Sequence, residues 1–277
     1  MSNKIHLGWN FLDVISHLVI NFFAYFFFLT LLGAEIYANF IFISLVCGIG
    51  QSIVKLGQND YLIVTKDLSQ NALSGILTLN LLLALISFLI LTIFFLLTSL
   101  FSDRDIIFVV SAMLMSFSVL ISIASYSFIA MLQKSQRFKE LFIVNVSASS
   151  FGLIITYLLS TFINASFYPV AFVLGSSVSL FLLLMPLKLF EVTLSKRNLY
   201  NFYMEAKVFM LPLAKTRPIM VFTKNIDSFL VLWVGGDIVL VVYNTTKKIL
   251  VYPLTILYGI LDRWSYPVLA KLDNRYK

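Results

Sequence analysis

Two long apolar runs of this chain carry charged side chains well inside their ends, among them Lys215, Arg217, Lys224, Asp227, Lys247 and Lys248. The runs, residues 204–234 and 238–261, meet at Gly235-Gly236-Asp237 and read as a membrane hairpin. A charge at the bilayer centre costs at least about 2.5–3.5 kcal/mol on insertion scales, so such residues face a partner or a watery cavity. Helix rise puts them deep. If the first run leaves the membrane near Trp233, Lys224 lies ~13 Å below that interface. Lys247 and Lys248 lie ~14–15 Å below the start of the second run at Ile238. A hydrocarbon core is about 30 Å thick, so all three approach its midplane. Arg217 and Lys224, seven residues apart, share a helix face, and Asp227 is near enough to Lys224 to pair with it. Lys207 and Lys215 lie nearer the cytoplasmic end, where a long stem can snorkel out.

One carboxylate cannot neutralise Arg217, Lys224, Lys247 and Lys248 together. A surplus of cations suits an anionic solute, with Lys acting on phosphate as a point charge and Arg as a bidentate fork. On this reading Arg217, Lys224, Asp227, Lys247 and Lys248 bind substrate. We expect Lys224, and at least one of Lys247 and Lys248, to point into one cavity alongside Arg217. Water, snorkelling or further helices would satisfy the same charges without a substrate. Pro212 and Pro218 are expected to kink this run beside the cavity.

Two further groups could do chemistry. Asp13, His17 and Asn21 recur at helical spacing in the first apolar run, with Ser16 beside them. They stack on one face, as a cavity lining or a proton-responsive coupling site. The plainer alternative puts Asp13 at the cytoplasmic start of its helix and makes His17 a packing residue. Lys66, Lys134, Arg137 and Lys139 form the other group, at a cytoplasmic mouth. They serve either as ordinary solvated positive charge or as a collar for an anionic lipid headgroup. No metal-ligand spacing or cofactor motif stands out, so neither a metal nor a cofactor is expected. Cys47 is the sole cysteine, which excludes an intrachain disulfide.

The elements that must position these residues are membrane helices. The chain has 277 residues, of which 60% are hydrophobic and only 12% charged, too few to solvate a globular surface. We expect an all-α integral membrane protein with eight spans, at residues 11–32, 36–54, 72–97, 106–132, 141–159, 170–187, 204–234 and 238–261. Placing both termini in the cytoplasm gathers Lys and Arg inside and leaves Arg104 as the one basic outside connector residue. That asymmetry accounts for the net charge of +7, so no nucleic-acid partner is implied. Trp9, Trp233 and Trp264 fall near interfaces, where amphipathic rings prefer to sit. Residues 58–70 read as a half-buried cytoplasmic helix, and the serines of the fourth span as packing groups. The outside connectors are too short to carry an enzyme core, so we expect no enzymatic activity.

Several stretches also carry a likeness. Leu32-Leu-Gly-Ala-Glu-Ile-Tyr37 forms a short first outside turn, and Leu56-Gly57 is followed by Thr65-Lys-Asp-Leu-Ser69. Later come Ala130-Met-Leu-Gln-Lys-Ser-Gln-Arg-Phe-Lys139, then Leu211-Pro212, Asn225-Ile-Asp227 and Gly235. Tyr243, Asn244, Lys248 and Pro253, with Tyr266-Pro-Val-Leu-Ala-Lys271, close the series. Their order resembles the polysaccharide-export and O-antigen flippases of the superfamily that includes MATE multidrug transporters. The resemblance implies a first six-helix lobe over residues 1–190 and, over residues 191–277, a partial second lobe of two helices, as in a C-terminally truncated flippase. It implies flipping of a polyprenyl-diphosphate-linked oligosaccharide across a bacterial inner membrane by alternating access, in surface polysaccharide or lipopolysaccharide O-antigen synthesis. The partners implied are that lipid-linked oligosaccharide, membrane lipids and other polysaccharide-assembly membrane proteins. A non-transporting accessory subunit needing a partner second lobe is the alternative, and a membrane-bound polysaccharide enzyme is the least favoured.

Overall fold

The computed structural model describes residues 2–65, 70–102, 104–187 and 196–272, so Lys66 and most of the Thr65–Ser69 stretch lie outside it. Among the described residues seven α-helices follow in order: α1 (Ser2–Ile53), α2 (Gln58–Val64), α3 (Gln70–Ser102), α4 (Ile106–Lys134), α5 (Phe138–Leu159), α6 (Tyr168–Leu184) and α7 (Lys196–Leu272). Short 3-10 turns, Ala165–Phe167 and Met185–Leu187, flank α6. No strand occurs among the described residues. Six of the helices are long and apolar enough to cross a membrane, and the eight apolar runs fall on them, two each to α1 and α7. The protein is a multi-pass membrane protein.

Both long helices fold back on themselves. Gly33 and Gly236 break the helical torsions of α1 and α7 at φ values of 75° and 76°, a left-handed region in which a Cβ is strained. The Tyr25 and Tyr37 rings are 5.3 Å apart, whereas twelve residues of straight helix would separate them by ~18 Å. Across Gly236, Lys247 Nζ lies 2.7 Å from Asp227 Oδ2, where a straight helix would hold them ~30 Å apart. Pro212 and Pro218 do not interrupt α7, whose backbone is helical through both; Gly236 alone departs from helical torsions.

Packing assigns each arm of α7 a different seat. Phe202, Ala206 and Met210 on its first arm join Leu62 of α2, Leu73 and Ile76 of α3, and Ala130 of α4 in one apolar cluster. Leu240 and Val241 on its second arm join Ala24, Tyr25, Phe28, Tyr37, Ala38 and Ile41 of α1, with Phe172 of α6. The hairpin therefore packs across the earlier helices, with its reverse faces outward: Val208, Ile219 and Leu250 are 78%, 66% and 69% exposed. Apolar exposure on that scale is a surface for lipid or for other apolar helices.

The α4 serines largely bond inside their own helix, as Ser116, Ser118 and Ser125 donate to Ala112, Met115 and Ile121 carbonyls. Ser122 reaches across to Ser177 of α6 at 3.2 Å. The α5–α6 contact is close: a Cβ on Gly152 would fall 2.8 Å from the Phe172 carbonyl oxygen, and one on Gly175 3.3 Å from the Gly152 Cα.

Candidate functional site

A cavity of about 380 Å³ opens where the end of α1, α2, the last turns of α4 and the first arm of α7 meet. Its lining carries three cations, Lys55, Arg217 and Lys224, and a single carboxylate, Asp60. The cations come from chain segments more than 160 residues apart, so only the fold assembles them. Arg217 spreads its fork over two partners, one guanidinium nitrogen donating to the Lys55 carbonyl and the other to the Asp60 carboxylate. Lys55 Nζ lies 4.4 Å over the ring of Tyr126, a cation–π contact that holds it at the wall. Lys224 has no carboxylate partner among the described residues. Its backbone carbonyl accepts from Lys247 Nζ at 3.1 Å.

Behind this cavity, Asn59 of its lining joins a buried polar network. Gln58, fully buried on α2, donates to Asn80 Oδ1 of α3 at 2.9 Å. Asn80 in turn donates to Asn59 Oδ1 at 3.2 Å and to Ser127 Oγ of α4 at 2.6 Å. Such a network in an apolar surround fixes geometry, because an unmade bond there is costly.

The remaining hairpin charges go elsewhere, and two expectations need correction. Asp227 is not Lys224's partner. Its Oδ2 accepts from Lys247 Nζ and from the Tyr243 hydroxyl, and its Oδ1 accepts from the Ser228 amide. At one-turn spacing Lys224 and Asp227 are on neighbouring faces, but the opposing arm offers Asp227 two donors at once. Nor does either Lys247 or Lys248 share the cavity of Arg217 and Lys224. Lys247 is spent inside the hairpin on Asp227 and the Lys224 carbonyl. Lys248, one residue on, points across the helix into a second cavity.

That second cavity, about 330 Å³, lies between the two arms of α1, α6 and the second arm of α7. Lys248 Nζ sits 3.4 Å from the centre of the Tyr25 ring, whose hydroxyl is 2.9 Å from Thr245 Oγ1. His17 and Asn21 line the same cavity, with Asn21 Nδ2 donating to the His17 carbonyl at 2.7 Å. The stripe read along the first helix divides here, because Asp13 does not line this space. Asp13 is fully buried and accepts from Asn145 Nδ2 of α5 at 2.7 Å, so it is an interhelical contact and not a helix-start residue at the surface.

Of the mouth residues, Lys134 Nζ donates to the Thr65 carbonyl at 2.6 Å. Arg137 forms a forked pair with Glu140, its Nε 2.6 Å from Oε1, and Lys139 Nζ lies 5.7 Å from the Trp9 ring centre. These contacts tie down chain ends and do not converge on one point. At the opposite end, Arg104 donates to Asp237 Oδ2 at 2.8 Å and to Asn39 Oδ1 at 2.7 Å, joining the α7 turn to α4 and the second arm of α1.

Sequence reasoning missed Lys55, Asp60, Tyr126, Asn145 and Tyr243. Asp60 sits in the polar segment Gln58-Asn59-Asp60 and reads as solvated. Its partner lies 157 positions away, with no periodicity to link them.

Residues 31–277 match the family described as polysaccharide biosynthesis protein. No curated protein and no solved structure matched the chain.

Proposed function

The chain belongs to the polysaccharide biosynthesis protein family, and from that premise we propose that it flips a polyprenyl-diphosphate-linked oligosaccharide across the membrane by alternating access. The observation that carries this reading is the first cavity: three cations from two distant segments face one carboxylate in a space lined by membrane helices. A cavity with excess positive charge attracts an anion, and a diphosphate is the anionic part of such a lipid. Arg217 offers the fork, and Lys55 and Lys224 offer point charges. Asp227 and Lys247 leave the substrate-binding set and act within the hairpin. Lys248, with His17 and Asn21, belongs to a separate space.

In this reading the chain crosses a bacterial inner membrane eight times with both termini cytoplasmic, and it serves surface polysaccharide synthesis, with O-antigen one such product. Residues 1–190 form one lobe and residues 191–277 the opening of a second. It acts as a transporter and not as an enzyme, and its partners are the lipid-linked oligosaccharide and other polysaccharide-assembly membrane proteins. The test is complementation of a flippase-deficient strain by this chain. Lys224→Ala should abolish surface polysaccharide while the protein stays inserted and abundant. Full complementation by Lys224→Ala would remove the cavity from the mechanism. Rescue only with a co-expressed second lobe would favour the accessory-subunit reading.

A further inference from the structure

We propose that Asp60 is a placeholder for the substrate's diphosphate: it holds Arg217 and gives it up when an anion arrives, loosening the stretch of α7 around Arg217. This rests on the reading of the first cavity as the diphosphate site. Both terminal nitrogens of Arg217 are engaged, one on the Lys55 carbonyl and the other on Asp60. A two-nitrogen grip on a diphosphate through these same donors requires Asp60 to let go. Asp60 and the incoming anion therefore compete for one cation.

The two sides of this ion pair are unequally anchored. Asp60 stands on α2, whose neighbours Gln58 and Asn59 are bonded into the buried Asn80–Ser127 network. Arg217 stands on the first arm of α7, whose outward face, Ile219 and Phe222, is 66% and 59% exposed. Breaking the pair therefore loosens the arm around Arg217, beyond its Phe202–Met210 seat, and leaves α2 in place. The pair is also accessible to a competitor, since Arg217 and Asp60 side chains are 27% and 28% exposed and both line the cavity. Lys224, one further turn pair along the same arm and without a carboxylate partner among the described residues, is positioned to take the anion with Arg217.

A placeholder has a signature that a structural ion pair lacks. Removing it strengthens binding and slows turnover together, because the empty site no longer returns to its closed arrangement. The probe is radiolabelled farnesyl diphosphate, with farnesol as the uncharged control, bound to the purified full chain in nanodiscs. Asp60→Asn should bind farnesyl diphosphate several-fold more tightly than wild type and complement poorly, whereas Arg217→Gln should bind more weakly. Spin labels at Ser135, just past the end of α4, and at Thr216 on α7 give a second measurement with the pair intact: their separation should change on adding farnesyl diphosphate and not farnesol. Unchanged or weaker binding by folded Asp60→Asn, or an unmoved Ser135–Thr216 separation with ligand bound, would overturn the placeholder and leave the diphosphate site standing. Equal binding of farnesol and farnesyl diphosphate by wild type would instead overturn the site itself, and the placeholder with it.

Discussion

Lys247 and Asp227 are twenty residues apart in sequence and 2.7 Å apart across the α7 hairpin, with the Tyr243 hydroxyl on the same carboxylate oxygen. The one acidic group of the hairpin interior is thus satisfied by its own hairpin. The pair is 30% and 40% exposed, which places it at the edge of packed space and not in a dry core.

Breaking that pair from one side strands the other charge. Lys247→Met or Asp227→Asn should each lower thermal stability in detergent by about 1–3 kcal/mol, less than a fully buried pair would lose. The double variant should recover most of the loss, measured as a coupling in a double-mutant cycle. Additive losses would show that the pair contributes nothing.

The second cavity should behave independently of the first. Lys248→Met keeps the stem that covers Tyr25 and removes the charge, so stability should change by under about 1 kcal/mol. Tyr25→Ala removes a buried ring and should cost about 3–5 kcal/mol. Farnesyl diphosphate affinity should be unaffected by Lys248→Met, read by the same radioligand binding. A loss matching that of Lys224→Ala would join the two cavities into one site.

At the outer end, Arg104 and Asp237 are 27% and 32% exposed, so their pair should contribute modestly, about 1 kcal/mol or less. Arg104→Asp combined with Asp237→Arg should restore the thermal midpoint lost in either single swap. Failure of the combined swap would assign the loss to Asn39, the other acceptor of Arg104.

The α5–α6 contact gives a steric test. Gly152→Ala drives a methyl to 2.8 Å from the Phe172 carbonyl and should cost about 1–3 kcal/mol, read as a lower midpoint in detergent. Gly8→Ala, with nothing within 4 Å of the added carbon, serves as the neutral control.

Orientation is tested by impermeant thiol labelling in a Cys47→Ala background. Phe101→Cys, at an exposed position near the end of α3, should react from outside, and Ser135→Cys should react only after permeabilisation. The reverse pattern would invert the topology.

Much of the fold is legible in the sequence because membrane helices announce themselves by length. The turns at Gly33 and Gly236 fall between apolar runs, where a break was expected. The depth of Lys224 and Lys247 follows from helix rise, and the two do meet, side chain to carbonyl. What could not be read is azimuth between distant elements. Lys247 and Lys248 are adjacent, so a rotation of about 100° about the helix axis sends one into the hairpin and the other to Tyr25. Asp60 was invisible for a different reason. Counting carboxylates within the hairpin alone found a deficit, while the missing anion stood on α2, brought in by a tertiary contact.

The Asp227–Lys247 pair also bears on how the protein is made. Entering the bilayer one leg at a time, the α7 arms would each expose one member of this pair, beside their other charges, at about 2.5–3.5 kcal/mol apiece on insertion scales. Folded back at Gly236 beforehand, they present this one pair already neutralised, with the Tyr243 hydroxyl on the carboxylate. The hairpin, and not the single helix, is therefore the natural insertion unit of this part of the chain. A reversal at Gly236 made before insertion would serve biogenesis as much as architecture.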